Sequence, residues 1–159
     1  MTRLDIDIDL NGLRTSGQRI ASLMPAYRKK LLATMGRGAK RGMHDVLDEW
    51  KVEAVDLAPL DKGLLRRGIH TKVTGKSANL TATIQSSAVE SSNGQRFDYA
   101  YYLHNVYPEK YGDSFQNPTT PGTIPNYLEK PAEENKERWK QMIEDEIKAE
   151  MSRAGYNIR

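Results

Sequence analysis

Leu4, Ile6, Ile8 and Leu10 alternate with Asp5, Asp7 and Asp9 at the start of the chain. A period of two puts the apolar side chains on one face and the carboxylates on the other, which predicts a half-buried strand over 4–10. Carboxylates on the outer face blunt a sheet edge against stray pairing, so an edge position is expected. Asn11-Gly12 is a turn signal, and a short helix is expected from about Leu13 to Leu23. The period then changes. Pro25 suits a first helical turn, and after it Leu32, Met35, Ala39, Met43, Val46, Trp50, Ala54 and Leu57 recur every three or four residues. One unbroken apolar stripe predicts one helix over about 25–57, ~48 Å long at 1.5 Å per residue. Gly36, Gly38 and Gly42 interrupt it, each at a cost of about 1 kcal/mol relative to alanine. They either bend the helix near position 37 or let another backbone come close. A single continuous helix is the expectation.

Beyond Ala58 the alternation returns. Ile69–Thr74 and Leu80–Ile84 flank the turn residues 75–79, a β-hairpin over 69–85. Residues 86–95 are polar and serine-rich and read as a loop. Residues 97–106 read as an aromatic strand, with Tyr99 and Tyr101 on its core face. Residues 107–125 hold Pro108, Gly112, Pro118, Pro121, Gly122 and Pro125, too many breakers for regular structure, so a long loop is expected there. A last helix is expected over about 131–153. Glu133 and Glu134 lie in its first turn, where carboxylates suit the helix dipole, and Ala132, Trp139, Ile143, Ile147 and Met151 form its apolar stripe. The expected architecture is a single α+β domain over 1–159, a small antiparallel sheet packed against a long helix and a C-terminal helix, with an extended loop. Leu32, Met43, Val46, Trp50, Trp139 and Ile143 are expected to share one core with the sheet.

The junction between long helix and hairpin is the densest in special residues. Pro59 cannot continue a helix and pushes Ala58 toward extended backbone. Gly63 suits a positive φ, and Arg66 or Arg67 is expected to meet a carboxylate or a helix-end carbonyl. This stretch, with Ala58, Pro59, Asp61, Gly63, Leu65, Arg66 and Ile69, is followed by two further blocks. One is Tyr99-Ala100-Tyr101-Tyr102-Leu103-His104. The other runs from Thr120 through Pro121, Gly122, Thr123, Pro125, Tyr127 and Leu128 to Pro131-Ala132. In content and order the three blocks resemble those of a family of tailed-phage head–tail joining proteins, the neck and tail-completion proteins. The resemblance covers roughly residues 25 to 153. The chain departs from the family pattern at Lys62 and Gly68 and has an enlarged segment over 106–117.

The resemblance implies a structural virion protein of a phage or prophage. It implies a ring at the head–tail junction around the DNA channel, sixfold first and twelvefold second. Adjacent neck and tail proteins would be its partners, and packaged DNA a non-specific contact. The implied location is the virion, with the host cytoplasm during assembly. The family reading implies no enzyme and no cofactor.

Composition narrows the classes without choosing among them. The chain has 159 residues, a formal charge of +3 and no cysteine, so a disulfide framework and a thiolate metal site are excluded. No apolar run approaches 18 residues, so no membrane span is expected. Mean hydropathy is -0.71, polar for a folded domain and consistent with a subunit that completes its burial against neighbours.

Candidate chemistry is sparse. His44, His70 and His104 lie far apart, and no nucleophile elbow, phosphate loop or HExxH motif occurs. No catalytic, cofactor or metal residue is assigned. Arg28, Lys29, Lys30, Arg37, Lys40 and Arg41 fall mostly off the apolar stripe of the long helix. They are either a solvated face or, in a ring, a face turned to DNA, whose phosphates attract cations without regard to sequence. Tyr107, Tyr111, Phe115 and Tyr127 form either a small core under the long loop or an inter-subunit contact, since tyrosine gives large contact area with a polar tip. The acidic residues of the last helix, interleaved with lysines and arginines, read as a solvated face. The alternative function is a small basic protein binding DNA non-specifically. A third is a hydrolase using His104 with a nearby acid.

Overall fold

The computed structural model describes residues 2–9, 14–15, 18–19, 24–77 and 79–156. The fold is α+β, with a small antiparallel sheet, a long helix and a C-terminal helix. Strand β1 (Thr2–Asp9) lies at the edge of a three-stranded sheet, paired with the central strand β5 (Asn79–Ser86), which pairs in turn with β4 (Ile69–Lys76). Leu4 and Ile6 are half-buried while Asp5 and Asp7 are exposed, the split that the alternation predicts. Two two-residue strands follow, β2 (Arg14–Thr15) and β3 (Gln18–Arg19), paired antiparallel. They replace the helix expected over Leu13–Leu23, whose remaining positions lie outside the described residues.

Helix α1 runs unbroken over Pro25–Leu57. One turn, α2 (Leu64–Arg67), leads into β4 (Ile69–Lys76) and β5 (Asn79–Ser86). The polar stretch expected to be a loop is a second hairpin, β6 (Val89–Ser92) and β7 (Gln95–Asp98), with Ser92 opposite Gln95. Asn93 and Gly94 supply positive φ angles of 51° and 78°, the backbone of a tight hairpin turn.

The aromatic strand expected over 97–106 is overturned. Only Phe97 and Asp98 are extended. Then come α3 (Tyr99–Tyr101), a π-helical stretch (Tyr102–Val106) and α4 (Tyr107–Tyr111). The Asp98 carboxylate accepts hydrogen bonds from the N–H groups of Ala100 (3.1 Å) and Tyr101 (3.4 Å), which is an N-cap. The long loop therefore begins with a helical turn at Tyr107, and irregular chain runs from Gly112 to helix α5 (Glu129–Arg153).

By contact density the chain divides into two compact units. The first comprises Met1–Leu4, Leu47–Thr71 and Thr83–Lys136, the second Asp5–Val46, Lys72–Ala82 and Glu137–Arg159. In the second, Leu31, Leu32 and Met35 of α1 cluster with Ile147, Met151 and Tyr156, and Ala39, Met43, Val46, Trp139 and Ile143 are buried. The three helix glycines serve close approach rather than a bend. A Cβ on Gly38 would sit 2.7 Å from the Glu146 carbonyl oxygen and from the Ile147 Cα, and one on Gly42 2.7 Å from the Ile143 Cα. One on Gly36 would strike the Ser77 carbonyl at the tip of the β4–β5 hairpin.

Beside that contact Glu150 gathers three arginines. Arg37 Nε donates to one carboxylate oxygen at 3.0 Å, and Arg153 donates to the other at 3.0 Å; the Arg41 guanidinium binds that same second oxygen while also reaching Glu146 at 3.5 Å. The hydrogen bonds from Arg37 and then Arg41 hold the Glu150 carboxyl down to about 2, from an ordinary value of 4.5. A depressed acid contributes stability that is present in full above its ordinary value and lost as pH falls toward the folded one. The melting temperature of the wild type should therefore exceed that of Glu150→Gln at neutral pH, with the gap closing as pH falls from about 5 toward 2. A gap that stays constant across that range would show that the carboxylate charge does not matter.

Candidate interaction surface

The three sequence blocks that carry the resemblance lie tens of residues apart, and all three fold into the first unit. Its core contains Leu47, Trp50, Ala54, Ala58, Leu65, Ile69, Ile84, Leu103, Tyr127 and Leu128.

The first block closes the end of α1. Ala58 N–H still donates to Ala54, and its own carbonyl is one of the helix-end acceptors that no intrahelical donor reaches. Arg66 Nε donates to that carbonyl at 2.9 Å, as the sequence led us to expect. Arg67 reaches the Lys62 carbonyl at 3.1 Å. Gly63 turns the chain with φ 75° and ψ 6°, the left-handed region that glycine tolerates. Gly63→Val should cost roughly 1 kcal/mol or more, above the half kcal/mol of an ordinary surface change. Urea denaturation reads this directly, and a midpoint equal to that of the wild type would contradict it.

The third block threads through the same region. Ile124 N–H donates to the Leu57 carbonyl at 3.0 Å, taking a second acceptor at the end of α1. Trp50 Nε1 donates to the Leu128 carbonyl at 2.8 Å. Tyr127 is fully buried, and its hydroxyl lies 2.7 Å from the Ser86 hydroxyl. Burial, chiefly, pushes that phenol well above its ordinary value. Tyr127 is thus a core residue and not part of an inter-subunit loop. Pro131 is buried near the start of α5, whereas Pro121 and Gly122 form an exposed turn.

The second block supplies both core and surface. Ala100 and Leu103 are buried. His104 Nδ1 lies 2.7 Å from a Glu129 oxygen, and the ring packs edge-on against Tyr127 at 4.4 Å. Nothing in the sequence ties His104 to Glu129, 25 residues on. The pair supplies the acid that a hydrolase reading needs, and the imidazole side chain is only 1% exposed. Its Nε2 is buried without a hydrogen-bond partner among the described residues. The geometry makes the pair an internal tie between the π-helical stretch and the start of α5.

Outside that core lies a chain of aromatic rings. Tyr102 neighbours Phe97 (5.6 Å), Tyr99 (6.3 Å, stacked) and Tyr107 (6.3 Å). Tyr107 in turn neighbours Tyr111 (5.0 Å) and Phe115 (5.1 Å). Tyr111 is 58% and Phe97 51% exposed, and the others are partly covered. Tyr101, expected in the core, is 52% exposed because the helix turns it away from Ala100 and Leu103. Next to Phe97 and Tyr99 is a shallow groove of about 150 Å³ lined by Leu60, Leu64, Leu65 and Ala88 and by the charged Asp61, Lys62 and Glu90. A contiguous aromatic surface beside a groove of mixed apolar and charged lining has the composition of a protein contact surface.

The cationic cluster is divided. Arg37 and Arg41 are paired with Glu150 and Glu146, while both side chains stay exposed. Arg28 is half-buried, and Lys29, Lys30 and Lys40 are exposed. Among the described residues no group of three histidine or carboxylate side chains is placed to hold a metal, and no helix is long and apolar enough to cross a membrane. Comparison with protein-family models, with curated proteins and with solved structures finds no match to this chain.

Proposed function

We propose that this chain is a structural protein of a tailed-phage virion, a ring-forming component of the head–tail junction that works by docking. One observation carries the reading. The first and third blocks are hydrogen-bonded around the end of α1, and the second is tied to the start of α5 through His104 and Glu129. Part of what the resemblance marks thus serves a scaffold, while Tyr99 and Tyr102 of the second block join Phe97, Tyr107 and Tyr111 in a partly exposed aromatic surface left for contact. Tyrosine and phenylalanine at a surface gain by being covered, and a partner ring or a neighbouring copy would cover them.

The test is complementation. In a phage whose own copy of the gene is disrupted, the wild-type chain supplied in trans should restore heads joined to tails. A Phe97→Ser, Tyr111→Ser double variant should fold, because both side chains are already half in water, yet leave heads and tails apart. Full yield of infectious particles from the double variant would remove the aromatic surface from the proposal. Failure of the wild type to complement would remove the proposal itself.

A further inference from the structure

We propose that the two ends of α1 are the two sides of a charged contact between copies of this chain. The idea rests on the ring reading above and gives it a subunit contact. From Pro25 to Met43 the helix carries Arg28, Lys29, Lys30, Arg37, Lys40 and Arg41 and no carboxylate. From His44 to Leu57 it carries Asp45, Asp48, Glu49, Glu53 and Asp56 against one cation, Lys51.

This polarity does not stabilise the helix. The partial charges of a helix, positive at its N-terminus and negative at its C-terminus, favour acids first and bases last. Helix α1 has no acid in its first turn and no base in its last, and its two halves run the opposite way. Helix α5 shows what a merely solvated face looks like. Its signs are interleaved, with Lys130 bound to Glu134 within the same helix, the spacing that supports an isolated helix.

Partners within the chain account for part of the basic half, since Arg37 and Arg41 go to Glu150 and Glu146. Lys29, Lys30 and Lys40 stay exposed at one end, and Asp45, Asp48 and Asp56 toward the other. Val52, an apolar side chain 62% exposed, lies between Asp48 and Asp56. An apolar contact rimmed by charge is the usual make-up of a docking patch. The occupant that matches both halves is a second copy, because each copy brings lysines for the aspartates and aspartates for the lysines. Opposed charges of this kind set partner choice and register. When each half meets a different neighbour the contact repeats and closes into a ring.

The experiment is a charge swap on the purified full chain, read by sedimentation. Wild-type protein should associate at low ionic strength and dissociate as salt shortens the screening length from about 30 Å to about 3 Å. The variant Lys29→Glu, Lys30→Glu, Lys40→Glu and the variant Asp45→Lys, Asp48→Lys, Asp56→Lys should each associate at least about tenfold more weakly. Mixing the two in equal amounts should restore association. All six side chains are exposed, and circular dichroism checks that the variants fold. Independently, the chain has no cysteine, so a Lys30→Cys copy mixed with an Asp48→Cys copy and treated with the thiol oxidant diamide should form a disulfide between copies at low salt, the diamide taking up the two electrons and two protons.

A wild type that stays monomeric at low ionic strength, or triple variants that associate as the wild type does, overturn the contact. So does a lysine variant that loses binding to a short DNA duplex while self-association is unchanged, since the basic half would then be a phosphate surface. A closed dimer that the charge swap dissolves upholds the contact and counts against the ring, whereas a larger closed species upholds both.

Discussion

Trp50→Ala should lower the stability of the chain by about 3–5 kcal/mol, the largest loss expected from any single truncation here. The indole is 2% exposed, so its removal forfeits a large buried surface and leaves a cavity that a helix interior cannot easily close. It also breaks the hydrogen bond from Nε1 to the Leu128 carbonyl, and Leu128 is itself fully buried. The loss of a buried hydrogen bond adds about 0.5–1.5 kcal/mol to the cost. Trp50→Phe separates the two contributions, because it keeps much of the packing and removes only the donor. Denaturant titration of both variants reads the difference. A cost below about 1 kcal/mol for Trp50→Ala, the range of ordinary substitutions, would show that the end of α1 is far looser than its geometry indicates.

Gly38→Val should be strongly destabilising through added volume. Even a methyl group at this position falls 2.7 Å from the Glu146 carbonyl oxygen and the Ile147 Cα, both backbone atoms that cannot rotate away. Overpacking of this kind costs typically about 1–3 kcal/mol and occasionally more. There is a second signature. Moving α5 off α1 also moves Glu150, whose partners Arg37 and Arg41 stand on α1. The variant should therefore lose both denaturant resistance and the acid-dependent part of stability that Glu150 supplies. A Gly38→Val protein with a wild-type midpoint and a wild-type pH profile would contradict the close approach.

The long-period parts of the fold were legible in the sequence. Pro25 and the stripe from Leu32 to Leu57 predict a helix over about 25–57, where α1 lies, and the alternation of Leu4, Asp5, Ile6 and Asp7 predicts an edge strand with its aspartates outward. Where two periods fit the same residues, the reading went wrong. Tyr99 and Tyr101 alternate as in a strand, but Tyr99, Tyr102, Leu103, Val106 and Tyr107 also recur every three or four residues, and Asp98 stands where an N-cap belongs. The cap decides it, because two backbone N–H groups find an acceptor there only if the chain coils. Asn93-Gly94 was likewise a hairpin signal hidden inside a polar stretch. The site was legible only in part. Gly63 and Arg66 were readable because backbone chemistry restricts which residues can do their work. The His104–Glu129 tie and the burial of Tyr127 depend on chain segments meeting in space, and no local pattern carries that information.

The glycine face of α1 bears on descent as well as on packing. Side-chain contacts in a core can drift, since a loss of volume at one position is made good at another. Contact between two backbones has no such freedom, because a neighbour's substitution cannot create room for a Cβ that meets main chain. Positions 38 and 42, against α5, and position 36, against the β4–β5 hairpin, should therefore vary little among relatives sharing these contacts, even where every apolar residue around them has been exchanged. A glycine pattern at spacings of two and four in a long helix, followed about a hundred residues later by a second helix, would then identify distant kin whose sequences otherwise share nothing with this one.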